Sequence, residues 1–255
     1  MRRVLRVLLK ILSWLVLVVV ALAAILWLSL RHAMPSGLLT GPAADQLAHD
    51  VERAVDVDAW ARTGAVQFSF AGRTHHLWDR RRNFDRVRWG NYEVLLDVDG
   101  HRGQAFQNGT LVQDGTLTQK LVDKAYAIWI NDTFWLNPLP KFFDPGVTRS
   151  RATVGDRAAL VVAYSSGGLT PGDSYVWLLD DESRPRAWRL YVSVIPIKGL
   201  QISWEGWTRL PTGAWISTAH RVLGINGAPI GELAGATTLA ELVPGPDPFA
   251  AIAHH

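Results

Sequence analysis

His75-His76 is a histidine pair inside the folded part of the chain. Neighbouring side chains on a strand point to opposite faces, so the two cannot chelate one ion. Ser165-Ser166-Gly167-Gly168 lacks the GxSxG spacing that lifts a nucleophile onto an elbow, and it is expected to be a strand-to-strand turn. Asp180-Asp181-Glu182 abuts Ser183, Arg184 and Pro185, ordinary turn composition, and nothing in the spacing makes two carboxyls converge in a cleft. The sequence contains no HExxH, no GxxxxGK[ST] and no GxGxxG. His254-His255 sits on an expected disordered end. With no cysteine, disulfides, thiol catalysis and thiolate metal sites are excluded. The expectation is a non-enzymatic protein with no metal site and no cofactor.

Two sets of residues remain that could bind something. Arg80, Arg81, Arg82, Arg86 and Arg88 form the sharpest charge cluster, suited to anionic headgroups or a partner's acidic face. The alternative is a solvated hairpin tip with Asp79 and Asp85 as neighbours. Ten of the twelve tryptophans follow residue 59. They fit either a core built from large aromatics or an open, curved sheet lined with aromatics and covered by a helix, a cavity for acyl chains. The candidate lining is Phe68, Trp78, Leu96, Leu121, Trp129, Trp135, Trp188 and Trp204.

The elements that must position these residues show in the hydrophobic period. Leu47, Val51 and Val55 recur at helical spacing, so residues 43–55 are predicted to be a short amphipathic helix opening at Pro42. From Val66 the period becomes two: Val66, Phe68 and Phe70; then Tyr92, Val94, Leu96 and Val98; then Trp188, Leu190, Val192 and Val194; then Ile202 and Trp204. This alternation buries one face of an antiparallel sheet. Turn signals stand between the runs at Ala71-Gly72, Arg80 to Asn83, Asp99-Gly100, Asn108-Gly109, Asp180 to Ser183 and Pro211 to Gly213. A helix is predicted from a capping box at Thr116 and Gln119, with Leu117, Leu121, Ala125, Ile128 and Trp129 on one stripe. An apolar, proline-punctuated loop is expected over 134–143.

Ile11 to Leu30 is twenty residues without a charge, about 30 Å as a helix, the thickness of a bilayer's hydrocarbon core. Arg2, Arg3, Arg6 and Lys10 precede it and Arg31 alone follows closely, which predicts a cytoplasmic N-terminus and an exported remainder. A cleavable signal peptide, cut near Ala21 to Ala24, is the competing reading. Five of the 26 basic residues belong to this flank, leaving 21 against all 23 acidic residues. The remainder is therefore near neutral and not an electrostatic nucleic-acid binder. Arg outnumbers Lys 21 to 5, the usage of a high-GC bacterial coding sequence. The expected organisation is a basic flank and transmembrane anchor (1–32), a linker (33–41), a β-rich exported domain (42–243) and a disordered tail (244–255).

An export segment, a short amphipathic helix, hairpins, a helical insertion and further antiparallel strands together resemble the lipoprotein-localisation factors of the LolA/LolB type. The likeness runs through Leu47 to Phe70, the strands up to Phe106 and Leu117 to Phe143, as pattern and without a residue signature. The resemblance implies a mainly β fold: an antiparallel, unclosed β-barrel or strongly curved sheet with a helical lid and an apolar cavity. It departs from that family in keeping an anchor and lacking cysteine. The function expected is a single-pass inner-membrane protein whose periplasmic domain binds a lipid or acylated protein. The alternatives are an envelope protein-interaction module and, less favoured, an enzyme acting on envelope lipid or polysaccharide.

Overall fold

Twenty consecutive uncharged residues, apolar except for Ser13 and Ser29, leave a helix no polar face. In the computed structural model α1 (Arg2–Leu30) exposes its side chains from Val7 to Ser29 and contains one stretch, Val7–Leu30, long and apolar enough to cross a membrane. The structure describes residues 2–167 and 170–253, without the side chains of residues 2 and 4–6. Gly168 of the expected turn, His254-His255, and the side chains of Arg2 and Arg6 lie outside the described residues.

The chain after α1 is tied down at once. His32 donates through Nδ1 to Gly199 O (3.0 Å), Tyr191 donates its hydroxyl to Ala33 O (2.8 Å), and Leu39 pairs with Arg151. Gly41, at φ 89°, turns the chain into α2 (Pro42–Ala54), which buries Leu47 and Val51. Asp56 caps the short α3 (Val57–Arg62) by accepting from Ala59 N.

A meander follows: β1 (Ala65–Phe70), β2 (Thr74–Asp79), β3 (Phe84–Trp89), β4 (Tyr92–Asp97), β5 (Arg102–Gln107) and β6 (Thr110–Leu111). Its turns at Ala71-Gly72, Arg80 to Asn83, Asp99-Gly100 and Asn108-Gly109 sit where expected, and the β3–β4 turn at Gly90-Asn91 was not among those expected. Asn108 and Gly109 both take positive φ (51° and 76°), the two-residue hairpin geometry that matches strand twist. Next come α4 (Gly115–Leu136) and a 3-10 turn (Leu139–Lys141). The second run of strands is β7 (Val147–Val154), β8 (Arg157–Tyr164), β9 (Ser174–Leu179), β10 (Pro185–Tyr191), β11 (Leu200–Ser203), β12 (Glu205–Arg209), β13 (Trp215–Ala219), β14 (Arg221–Val222), β15 (Ile225–Asn226) and β16 (Ile230–Ala236), then α5 (Leu239–Leu242).

The fold is mainly β and antiparallel throughout, with no closure into a barrel. A seven-stranded sheet runs β16-β1-β2-β3-β4-β5-β6 and a five-stranded one β11-β10-β9-β8-β7. β16 returns from the far end of the chain to pair with β1, Ala65 opposite Ala236. The first half of α4 lies on the seven-stranded sheet, where Leu121, Val122 and Ala125 meet Val87, Val94, Leu96 and Ala105. On the five-stranded sheet, Leu160, Val162, Trp177 and Trp188 form a core with Leu47 and Val51 of α2.

Two expectations need correction. The N-cap of α4 is Asp114, which accepts from Thr116 N and Leu117 N, while Gln119 donates to Asp123 instead of closing a capping box. The helix also runs on through Phe134 and Trp135, because the first breaker is Pro138 and only Asn137 before it leaves the helical region. The second concerns the segment after Pro244, which is docked. Phe249 is fully buried and Ile252 nearly so, packed with Leu77, Leu95, Phe84 and Phe106 on the sheet face away from α4. Arg82 grips Asp247 with two bonds of 2.6 and 3.0 Å. Proline- and alanine-rich composition pointed to disorder, yet two apolar side chains and one ion pair are enough to seat the segment. Phe249→Ala is expected to cost about 3 kcal/mol in urea unfolding. A loss below about 0.5 kcal/mol, the level of an ordinary surface substitution, would mean the docking is idle.

Candidate functional site

Along the second half of α4, Tyr126, Trp129, Ile130, Thr133 and Phe134 recur every three or four residues and share one side of the helix. Opposite them the strands alternate, so Tyr164 on β8, Tyr175 on β9, and Trp188 and Leu190 on β10 point inward. Between the walls lies a cavity of about 460 Å³, within the range of roughly 300–1,000 Å³ typical of small-molecule sites.

Seven aromatic rings line the cavity. Phe134 lies 5.9 Å from Trp188 at an interplanar angle of 22°, and Tyr175 lies 4.9 Å from it at 29°. Trp135 meets Trp188 edge-on at 4.9 Å. Behind Trp188 stand Trp177 (4.9 Å) and Trp204 (5.0 Å), so this one ring belongs both to the cavity and to the core.

The polar groups gather at the mouth. Lys141 pairs with Asp144 (3.1 Å), and Asp173 accepts from Ser193 N (3.0 Å) and from the Thr170 hydroxyl. Burial, helped by Tyr175 and Asp144, pushes the Tyr164 phenol well up; burial and Asp173 do the same to Tyr175. Both phenols therefore keep their protons. Tyr164 Oη is buried and has no hydrogen-bond partner among the described residues. The arrangement can hold an apolar chain and fix it by a few polar contacts.

A second polar cluster is sealed from solvent. His76, on β2, is stacked on Phe68 (4.4 Å) and bonded on both sides, through Nδ1 to Asp85 (2.6 Å) and through Nε2 to Asp132 of α4 (3.0 Å). Asp132 also accepts from the Thr74 hydroxyl and from Asn131 Nδ2 (2.8 Å). Burial alone would lower the imidazole pKa. The two carboxylates outweigh it and raise the pKa to about 9. His75 turns the other way, to Glu232 (2.9 Å), so the two histidines occupy opposite faces. The charged triad clamps α4 onto the seven-stranded sheet. His220 is the converse case: burial pushes its pKa down to about 4 beside Trp204 and Trp135, with Nδ1 bonded to Ser203 O (3.2 Å).

Of the eight residues proposed to line a cavity, Trp129, Trp135 and Trp188 do so. Phe68 packs with Trp60 and Val66, and Trp78 packs against them; Leu121, in the first half of α4, packs with Leu96 of the sheet; Trp204 is core behind Trp188. The space under Leu117 to Trp129 is filled, and the opening lies beside the later turns of the helix. The arginines do not gather into one patch. Arg80 is folded over Trp60 (4.1 Å) and donates to Trp60 O and Thr63 O, and burial pushes its pKa down to about 10. Arg82 holds Asp79 and Asp247. Arg81 and Arg88 are exposed and Arg86 is half-buried.

Sequence reasoning passed over Phe134, Tyr164 and Tyr175 in the cavity, and the partnership of Asp85 and Asp132 with His76. Two signals were available. Phe134 continues the spacing of Tyr126 and Ile130, and Asp132 interrupts the apolar stripe of Leu121, Ala125 and Leu136. A charge on a buried stripe calls for a buried partner.

No protein-family model matches the chain, and no curated protein matches it.

Proposed function

We propose that this chain is a single-pass, inner-membrane protein whose domain, held on the periplasmic side, binds a lipid or the acyl chain of a lipoprotein without covalent chemistry. The aromatic cavity between α4 and β8 to β10 carries the reading: about 460 Å³ lined by aromatic and aliphatic side chains, with Lys141, Asp144 and Thr170 among its polar residues, is suited to a hydrocarbon chain bearing a polar group. The likeness to lipoprotein-localisation factors supports it, since the antiparallel sheets are unclosed and a long helix lies across them. The basic residues at the start of α1, against Arg31 alone just after it, support an exported domain.

Native mass spectrometry with lipid extraction on the full chain, purified from its own membrane, is the direct test. A co-purifying phospholipid or lipopeptide is the expected result. Ile130→Trp fills the cavity from a partly exposed position on α4 and is expected to lower that occupancy about tenfold while leaving the unfolding midpoint nearly unchanged. A clean apo mass, with no uptake of a fluorescent fatty acid afterwards, would refute the lipid reading. Sidedness is tested separately: a C-terminal tag on spheroplasts should yield to added protease while a cytoplasmic control resists.

The hairpin of β14 and β15 favours the interaction-module alternative. Leu223 and Ile225 at its tip are 68% and 74% exposed, an apolar pair suited to a protein partner. Co-purification of one stoichiometric protein and no lipid would support that reading instead.

A further inference from the structure

The connection from β10 to β11, residues 192–199, takes part in two features of the molecule. At its end it receives the chain leaving α1: His32 N donates to Lys198 O (3.3 Å) and His32 Nδ1 to Gly199 O (3.0 Å). The approach is close enough to require glycine. Gly199 has φ +75°, and a Cβ there would stand 2.1 Å from His32 O. Near its beginning the same connection forms the cavity's rim through Val192, Val194 and Ile195. Val194 is 72% exposed although it lines the mouth. Ser193 N on Asp173, with Thr170 on the same carboxylate, joins this rim to the β8–β9 connection. The mouth, the β8–β9 connection and the end of α1 are therefore at one end of the five-stranded sheet. The β9–β10 turn, with Asp181 paired to Arg157, is at the other, about 20 Å away along six-residue strands.

His32, two positions after Leu30, the last of α1, sits in the socket at Gly199, and Val194 is five positions before Gly199, at most about 17 Å of chain. From this juxtaposition we infer that the cavity opens onto the membrane that α1 spans and takes a lipid acyl chain directly from that leaflet, tail first, past Val194 and Ile195; the inference rests on the lipid-binding reading. Exposed apolar residues at the rim meet the bilayer surface, and Lys141, Asp144 and Thr170 beside them meet the headgroup. A chain following this route passes from bilayer to aromatic wall without crossing water, which removes the main cost of extracting a lipid. The docked linker keeps the mouth against the membrane, where a free tether would let the domain tumble.

The cysteine-free chain makes the test clean. Single variants Val194→Cys and Asp181→Cys of the full-length protein are labelled with a fluorophore and reconstituted into phosphatidylethanolamine–phosphatidylglycerol vesicles carrying a nitroxide on the lipid headgroup. Loss of most of the emission at 194 and its retention at 181 are expected; equal quenching at the two positions overturns the route. A second variant, Pro196→Asp, adds a charge to the exposed apex of the connection, outside the cavity lining. Repulsion from the anionic leaflet should slow uptake of a pyrene-labelled phosphatidylglycerol from these vesicles about fivefold. Loading of the same probe from detergent micelles should stay within about twofold. Equal losses in both formats overturn the route. A loaded cavity with an unquenched 194 label also overturns it, yet leaves lipid binding standing. Wild-type protein that takes no probe in either format refutes the lipid reading itself, and the route with it.

Discussion

Replacing His76 with leucine will cost the domain about 3–5 kcal/mol and abolish most of its loss of stability at alkaline pH. Two buried carboxylates, Asp85 and Asp132, face each other across this ring, and removing the cation leaves both without their charged partner. The pH dependence follows from the raised pKa. An unfolded histidine titrates near 6.5 and folded His76 near 9, so the folded state binds the extra proton between those values. The triad's contribution is complete below about pH 6.5 and disappears as pH rises through about 9, a change on the order of 3 kcal/mol. Buried His220 has the opposite sign. Its pKa of about 4 means that its contribution is present above about 6.5 and is lost as pH falls towards 4. Wild-type stability should therefore peak near the unfolded histidine value and fall on both sides, while His76→Leu retains the acid limb and loses most of the alkaline one. Asp132→Asn keeps the shape of the partner but removes one charge, and should shift the alkaline limb to lower pH at about half the cost in stability. Urea unfolding from about pH 5 to about pH 10 measures all three proteins. An unchanged alkaline limb in His76→Leu would mean that other groups set the dependence.

The triad also shows where sequence reading stops. Period-two alternation identifies the faces of β1, β4 and β10 because one face must be apolar, and it separates His75 from His76 for the same reason. It does not say which element will cover a face. Asp132 lies 56 residues from His76, and only the docking of α4 brings them together. The turns were legible because Asn108-Gly109 and Ala71-Gly72 take backbone conformations that few residues accept without cost. The cavity was half legible. Trp188 was placed inward correctly, but its partner Phe134 looked like loop, since Pro138 and Pro140 stand close behind and the helix persists right up to them. Trp204 was expected in the cavity lining and lies behind the wall, because alternation cannot separate the first layer of a curved sheet's interior from the second.

Trp188→Ala will lower folding stability by about 4 kcal/mol and, if the cavity holds lipid, its occupancy with it, and so cannot by itself distinguish a site from a core. The ring is fully buried and within 6 Å of Phe134, Trp135, Tyr175, Trp177 and Trp204. Truncation joins the cavity to a new void and strips packing from both layers of rings. Phe134 supplies the contrast. It stands on the helix side of the cavity, is only partly buried, and touches Tyr164 (5.7 Å), Tyr175 (5.2 Å) and Trp188 across the space. Phe134→Ala should cost about 1–2 kcal/mol of stability. If the cavity holds a chain against these rings, occupancy measured by native mass spectrometry should fall as much as it does in Trp188→Ala, several-fold in each. A binding site loses ligand according to which wall is removed, whatever the wall contributes to folding. Occupancy that tracks stability across the two variants would instead make the cavity a packing gap in an aromatic core, with no selective reason to be filled.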